Sequence, residues 1–180
     1  MTPQALMQQA MEAAIPTLRT ERLVLRAPRP EDFEPYAAFA ASPRSAGVGG
    51  PFDRERAWDK WIQHWGHVSM RGYGRFVIER DGRPIGTTGP LYPEGWPEPE
   101  IAWTLWDGEG EGLALEAATE ARRFAYEALG WTTAISLVME DNHRSAALAA
   151  RMGAVRDGTV RHASYGPTPV WRHPSPEGLT

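Results

Sequence analysis

Cysteine does not occur in the 180-residue chain, which excludes disulfides, thiolate metal sites and a cysteine nucleophile together. Lysine is nearly missing too, since Lys60 is the only one among 19 basic residues. No stretch approaches the roughly 20 apolar residues of a membrane span. The start, MTPQALMQQAMEAAIP, has neither the basic segment nor the unbroken apolar core of a secretory leader, so a cytoplasmic protein is expected. Positive charge is not in excess: the formal net charge is -4, and no nucleic-acid partner is expected without a basic face. His64, His67, His143, His162 and His173 fall into no metal-ligand spacing. The nucleophile-elbow pattern G-x-S-x-G is also missing, which argues against a hydrolase.

What is present fits one globular domain. Hydrophobic residues make up 42% and charged residues 23%, close to ordinary globular usage. Leu6, Met7, Ala10, Met11 and Ala14 recur at helical spacing, and Pro16 ends the segment. Residues 1–17 therefore read as an N-terminal helical extension, 18–173 as the domain, and 174–180 as a frayed tail. RLVLRAP reads as a strand and PEDFEPYAAFA as a helix after it. Residues 42–53 read as a loop and 56–70 as a second helix, on which Trp58, Trp61 and Trp65 share one face. That stripe either packs onto a sheet or walls a substrate pocket.

RFVIERDGRPIGTTGPLY holds two apolar runs joined at Asp81-Gly82, a strong hairpin signal. YPEGWPEPE is an exposed connection, EIAWTLW a strand, and WTTAISLV a later strand. A helix over 145–152 closes at Gly153, and two extended runs, 154–161 and 168–172, follow. Helices and strands alternate, yet the hairpin breaks strict βαβ order. The fold class expected is α+β with layers, a mixed, mostly antiparallel sheet of about 6–7 strands flanked by helices.

The stretch WDGEGEGLALEAATEARRFAYEALGW sets a glycine-rich loop against a long alanine-rich helix. Such a helix start binds phosphate through unpaired N–H groups and the helix dipole. The dinucleotide fingerprint fails because Leu113 stands where the third glycine is needed, and the P-loop fails for want of a lysine. Glu109 and Glu111 oppose anion binding: at ~6 Å and an effective dielectric of about 20, each would cost nearly 3 kcal/mol against a phosphate, less if turned to water.

In order and spacing, LRTERLVLRAPRPEDFEPY, RPIGTTG, EIAWTLWDGEGEGLALEAATEARRFAYEALGW and VMEDNHRSAALAARMGA resemble the GNAT superfamily of acyl-CoA-dependent N-acyltransferases. The arrangement is most similar to the branch containing ribosomal-protein N-terminal acetyltransferases. The resemblance implies a GNAT fold and acetyl-CoA as cosubstrate. Its pyrophosphate loop, Q/R-x-x-G-x-G/A, falls on Glu109, Gly112 and Ala114, so the glycine and the small residue match while Glu109 and Glu111 depart. Backbone N–H groups of Gly110, Glu111, Gly112, Leu113 and Ala114 would hold the pyrophosphate, with Arg122, Arg123 or Arg144 offsetting the acids. Trp103, Thr104 and Leu105 would lie where the central strand splays and polarises the thioester carbonyl.

By the same resemblance Glu100 is the base, directly or through water, with a sheet-edge ion pair as the alternative. Asn142 and Ser145 match N-x-x-S/A and would hold pantetheine, although asparagine is also a ready helix cap. The tyrosine many relatives place four residues beyond Ser145 is Ala149 here, and the Gly-Phe ending that helix is Gly153-Ala154. Ser145 is then the nearest hydroxyl for protonating the CoA thiolate, with Tyr165 more distant. Trp58, Trp61, Glu94 and Glu98 suggest an aromatic, acidic entrance for a cationic amine. The activity implied is acetyl transfer from acetyl-CoA directly to a primary amine, on a protein N-terminus or a small molecule. A non-catalytic acyl-CoA sensor or partner-binding domain is the alternative, and a homodimer stays open.

Overall fold

The computed structural model describes residues 1–163 and 165–179. The chain opens with α1 (Pro3–Ala14), whose first turn is capped when Thr2 Oγ1 accepts the Ala5 N–H at 3.2 Å. Met11 and Ile15 are buried against Leu23, Leu25 and Val68, so this segment packs on the same core as the rest. Two short strands follow, β1 (Leu18–Arg19) and β2 (Val24–Arg26), then α2 (Phe33–Ala40), a 3-10 turn over Pro43–Val48, and α3 (Arg54–Arg71). Asp53 Oδ1 takes the Arg56 N–H at 2.7 Å to start α3, and Gly72 ends it in the left-handed region.

β3 (Phe76–Arg80) and β4 (Arg83–Leu91) form the expected hairpin. Asp81 and Gly82 both take positive φ, 50° and 76°, as a tight hairpin turn of matching twist requires. β5 (Glu100–Leu105) and α4 (Leu113–Glu127) come next, then β6 (Ile135–Leu137), α5 (His143–Arg151), β7 (Val155–His162) and β8 (Gly166–Arg172). The tail holds one further 3-10 turn, Pro176–Leu179, and Tyr126 Oη donates to the Pro174 carbonyl at 2.7 Å.

The strands make one sheet in the order β1-β2-β3-β4-β5-β6-β8-β7. Eight strands exceed the expected count because the two-residue β1 carries no readable periodicity and the terminal hairpin completes the far edge. Every pairing is antiparallel except β5 with β6, which the α4 crossover makes parallel.

Side chains alternate across this sheet with the period of two that a pleat imposes. Phe76 and Ile78 face a core with Leu113, Ala117 and Ala121 of α4, while Val77 faces a core with Ala57 and Trp61 of α3. Arg26, on β2, is buried yet fully paired: its Nη atoms grip Asp32 at 2.8 Å each, and its Nε donates to Glu79 at 2.6 Å. A buried cation is tolerable only with such complete pairing, and this one ties β2 and β3 to the start of α2.

The feature that positions a site is the seam between β5 and β6. These strands share a single register pair, Glu100 with Ile135. Beyond it they part, leaving the β6-facing edge of β5 with no ladder partner.

Candidate active site

A cavity of about 820 Å³ opens along that seam. Its floor is β5, where Ile101, Ala102, Trp103, Thr104 and Leu105 line it, and Asn142, Ser145 and Leu148 of the α5 region form the near wall. Tyr36, Lys60, His64, Arg75, Trp96 and Tyr165 close the other end. Volumes of this order hold cofactor-sized ligands.

Glu100 sits where the strands part, 5% exposed. Its Oε1 accepts the Leu137 N–H at 3.0 Å, a donor that the diverging β5 backbone no longer reaches, and its Oε2 accepts from Trp96 Nε1. Burial pushes the Glu100 carboxyl up, against the pull of these two hydrogen bonds and the Arg75 charge. A carboxylate whose proton affinity is raised in a cavity is suited to take a proton near neutral pH. The ion-pair alternative for Glu100 is not what the structure shows, since no cation lies within salt-bridge distance of it among the described residues.

At the helix end, Gly108, Gly110 and Gly112 all have positive φ, between 76° and 89°. Gly112 caps α4 at φ 80°, with no side chain to receive the first helical N–H groups. Those donors therefore remain for an outside acceptor. Ala114 lines the cavity at this point, whereas the Leu113 side chain is fully buried in the core and only its backbone belongs to the loop.

The two acids of the loop are already neutralised. Glu109 forms a salt bridge with Arg44, and Glu111 pairs with Arg80 Nη1 at 2.6 Å. The Arg44 hydrogen bond holds the Glu109 carboxyl below its usual range. This corrects the assignment of counter-charges. Arg122 is buried, donating to the Met152 carbonyl at 2.6 Å, and Arg123 is taken by Glu120 and Glu127. Of the expected three only Arg144 lines the cavity.

Asn142 fills the capping role and a second one. Its Oδ1 accepts the Ser145 N–H at 3.1 Å, and its Nδ2 donates to the Gly47 carbonyl at 3.2 Å. A Cβ on Gly47 would come to 2.7 Å from that Nδ2, so any larger residue there would displace the Asn142 side chain. Ser145 Oγ accepts from Trp103 Nε1 at 3.3 Å, leaving its own proton free to donate. Tyr165 reaches the cavity from the far side, stacked on His162 at 4.4 Å, with its hydroxyl on the Val48 carbonyl at 3.2 Å. Burial pushes the Tyr165 phenol up, so it stays protonated.

The aromatic, acidic entrance is not there. Trp61 is 1% exposed and stacks on Tyr36 at 5.1 Å, one layer behind the cavity wall, while Trp58 points outward with its edge on Phe33. Glu98 is paired with Arg172 at 2.7 Å, and Glu94 stands on the surface facing Arg71. None of the four lines the cavity. The Glu94 and Glu98 side chains turn outward although Trp96 between them lines the cavity, and the tryptophan stripe serves packing because a helix lying on a sheet buries its apolar face.

A Ser–His pair does exist, Ser136 with His173 at 2.9 Å. It is not a catalytic dyad. The Arg122 guanidinium, which can only donate, lies 3.2 Å from His173 Nδ1, so the ring proton is on Nε2 and points at Ser136 Oγ. Ser136 in turn donates to the Ile101 carbonyl at 2.6 Å, which braces the seam. Burial, helped by Arg122, pushes His173 down to about 3, so this ring is neutral. Among the described residues no group of histidines and acids is arranged to hold a metal ion, and no helix is long and apolar enough to cross a membrane.

Sequence reasoning missed Arg44, Lys60, Tyr36 and Arg75. One signal existed for Arg75: it shares strand parity with Val77 and not with Phe76, so it belongs on the face turned toward α3.

Residues 22–155 match the sequence profile of the acetyltransferase (GNAT) domain. The structure is similar to that of an acetyltransferase from Agrobacterium tumefaciens str. C58, at 40% identity and a TM-score of 0.81, over 88% of this chain and 94% of that one. Likeness of fold alone extends to the aminoglycoside acetyltransferase AAC(6')-Ib in complex with coenzyme A, at 15% identity, TM-score 0.74, over 87% and 96% of the two chains. It extends also to a ribosomal-protein-S5-alanine acetyltransferase from Vibrio fischeri, at 15% identity, TM-score 0.67, over 90% and 98%.

Proposed function

Because this chain belongs to the GNAT acetyltransferase family, we propose that it moves an acetyl group from acetyl-CoA directly to a primary amine, with Glu100 as the base. The observation that carries the reading is the buried Glu100 carboxyl at the single β5–β6 register pair, beside the loop that leads to α4. Bound acetyl-CoA would supply an activated thioester carbonyl and a good leaving group. The free N–H groups at the α4 start fit its pyrophosphate, and the paired states of Glu109 and Glu111 remove the main objection to that fit.

The chain's own residues then divide the work. Glu100 takes the proton that the amine loses, which is why a raised proton affinity matters. The unpaired edge of β5 between Trp103 and Leu105 offers backbone N–H groups on alternate residues where negative charge develops on the carbonyl oxygen. Ser145 Oγ, which accepts from Trp103, has a proton to give to the departing sulfur, whereas the protonated Tyr165 hydroxyl in the same cavity already donates to the Val48 carbonyl. An acyl-CoA sensor would be favoured by Glu109, Glu111 and Ala149, the three departures from the family pattern. The pairing of both acids and the uncommitted Ser145 hydroxyl proton weaken that alternative.

Calorimetric titration with acetyl-CoA and with CoA, followed by thiol release in the presence of a panel of amines, tests the reading. Binding with amine-dependent release of CoA is expected. No binding at millimolar acetyl-CoA would end it.

A further inference from the structure

Arg75 precedes β3 and lines the far end of the cavity with Tyr36, Lys60 and His64. The other arginines that are not exposed, Arg26, Arg29, Arg80, Arg122 and Arg172, all reach an acid or a carbonyl. Arg75 alone among them makes no hydrogen bond or ion pair with any described residue. Lys60 is in the same condition: half-buried, its Nζ lies 4.7 Å over the Phe52 ring and meets no acid among the described residues.

Two cations partly out of water and without counter-ions are costly. Burial pulls both downward, and Arg75 adds to the effect on Lys60. The acid most strongly felt by Arg75 is Glu100, whose two oxygens are already engaged by Leu137 and Trp96. His64, pushed to about 3 mainly by burial, brings no charge at neutral pH. The acceptor end of this cavity is thus cationic, with one acid at the reaction point.

We propose that the acceptor is a primary amine that itself carries an oxyanion, a carboxylate or a phosphate, which Arg75 receives with Lys60 beside it. The proposal rests on the acetyltransferase reading for the word acceptor, not for the pocket. Arg75 presents a planar fork that binds an oxyanion through two parallel hydrogen bonds. Anchoring the molecule there would turn its amine toward Glu100, whose field Arg75 shares. A polycationic amine would meet Arg75 and Lys60 with like charge and be rejected.

Ligand binding to the full-length protein saturated with CoA, followed by tryptophan fluorescence, tests this without turnover. The probes are the α-amino acids, their amides, phosphoethanolamine and spermidine. An amino acid is expected to bind at least about tenfold more tightly than its own amide, or phosphoethanolamine to do so relative to every amide. The two arms tell carboxylate from phosphate. Arg75→Gln should erase the preference and Arg75→Lys restore part of it. Lys60→Gln, which leaves the Arg75 fork in place, should weaken it less.

The proposal is overturned if amides or spermidine bind as well as the anionic amines, if nothing in the panel binds, or if Arg75→Gln keeps the preference. Loss of acetyl-CoA binding with the Arg75-dependent preference intact would defeat the acetyltransferase reading and leave the anion subsite standing.

Discussion

At the α4 end of the cavity the chain offers main-chain N–H groups, with glycines at 108, 110 and 112 and acids turned aside onto Arg44 and Arg80. At the other end it brings together side chains from four separate elements: Tyr36 of α2, Lys60 and His64 of α3, Arg75 before β3, and Tyr165 before β8. The first end is local in sequence and nearly indifferent to side-chain identity. The second exists only because the sheet order places distant segments together. Backbone can hold a ligand shared by many proteins, while side chains must distinguish one amine from another.

The sharpest way to break this contrast is at the junction. Glu100→Gln should lower kcat by about 10²- to 10⁴-fold, the range for removing a general base, while the Kd for acetyl-CoA measured by calorimetry stays within about twofold. Weakened acetyl-CoA binding would mean that Glu100 serves the helix end as well. The wild-type rate should rise with pH as Glu100 loses its proton, and that limb should vanish in the variant.

Next in size is the backbone end. Gly112→Val forces a β-branched residue into left-handed φ at about 1–2 kcal/mol, so acetyl-CoA should bind about tenfold more weakly with little effect on the capture of anionic amines. An equal loss at both ends would show that the two are not separable.

Asn142→Ala removes a cap worth about 1 kcal/mol, which should lower Tm by several degrees and loosen the Pro43–Val48 turn, seen as faster amide exchange at residues 43–48. A smaller effect follows from linkage. Burial raises the Glu100 carboxyl, so the folded chain holds that proton more tightly than the unfolded chain. The resulting stabilisation is complete below the ordinary carboxylate range and is lost as pH rises through the folded value. The Tm of Glu100→Gln measured against wild type should therefore climb between acid and neutral pH.

Smallest of all, Glu109→Gln with Glu111→Gln should change acetyl-CoA affinity by less than about threefold, since exposed pairs are worth ~1 kcal/mol or less. A tenfold gain would show that the acids do repel the ligand despite their arginines.

The same contrast explains what could be read in advance. The hairpin at Asp81-Gly82 and the cap at Asn142 are written in local turn and capping chemistry, and they stand as the sequence implies, whereas α3 begins at Arg54 on an Asp53 cap, two residues before the expected helix. The mixed sheet and its α4 crossover follow from the order of the elements. Illegible were the partners of Glu109 and Glu111, which come from residue 44 in a loop and residue 80 on a strand. The same holds for the outward turn of Glu98 onto Arg172, whereas the inward turn of Arg75 follows from its strand parity with Val77. The tryptophan face was identified but not its use: a period of 3.6 marks a buried stripe equally well whether core or ligand lies against it.

The lone register pair between β5 and β6 also has a mechanical consequence. A load across β4 and β5 is shared by the six pairs from Gly86–Leu105 to Leu91–Glu100. Across the seam it falls on one rung, the Leu137–Glu100 clasp and the Ser136–Ile101 brace. Under tension the centre of the sheet yields at this seam before it yields along β4 and β5, so a weak line in the protein's scaffold and its gap for a substrate are one and the same.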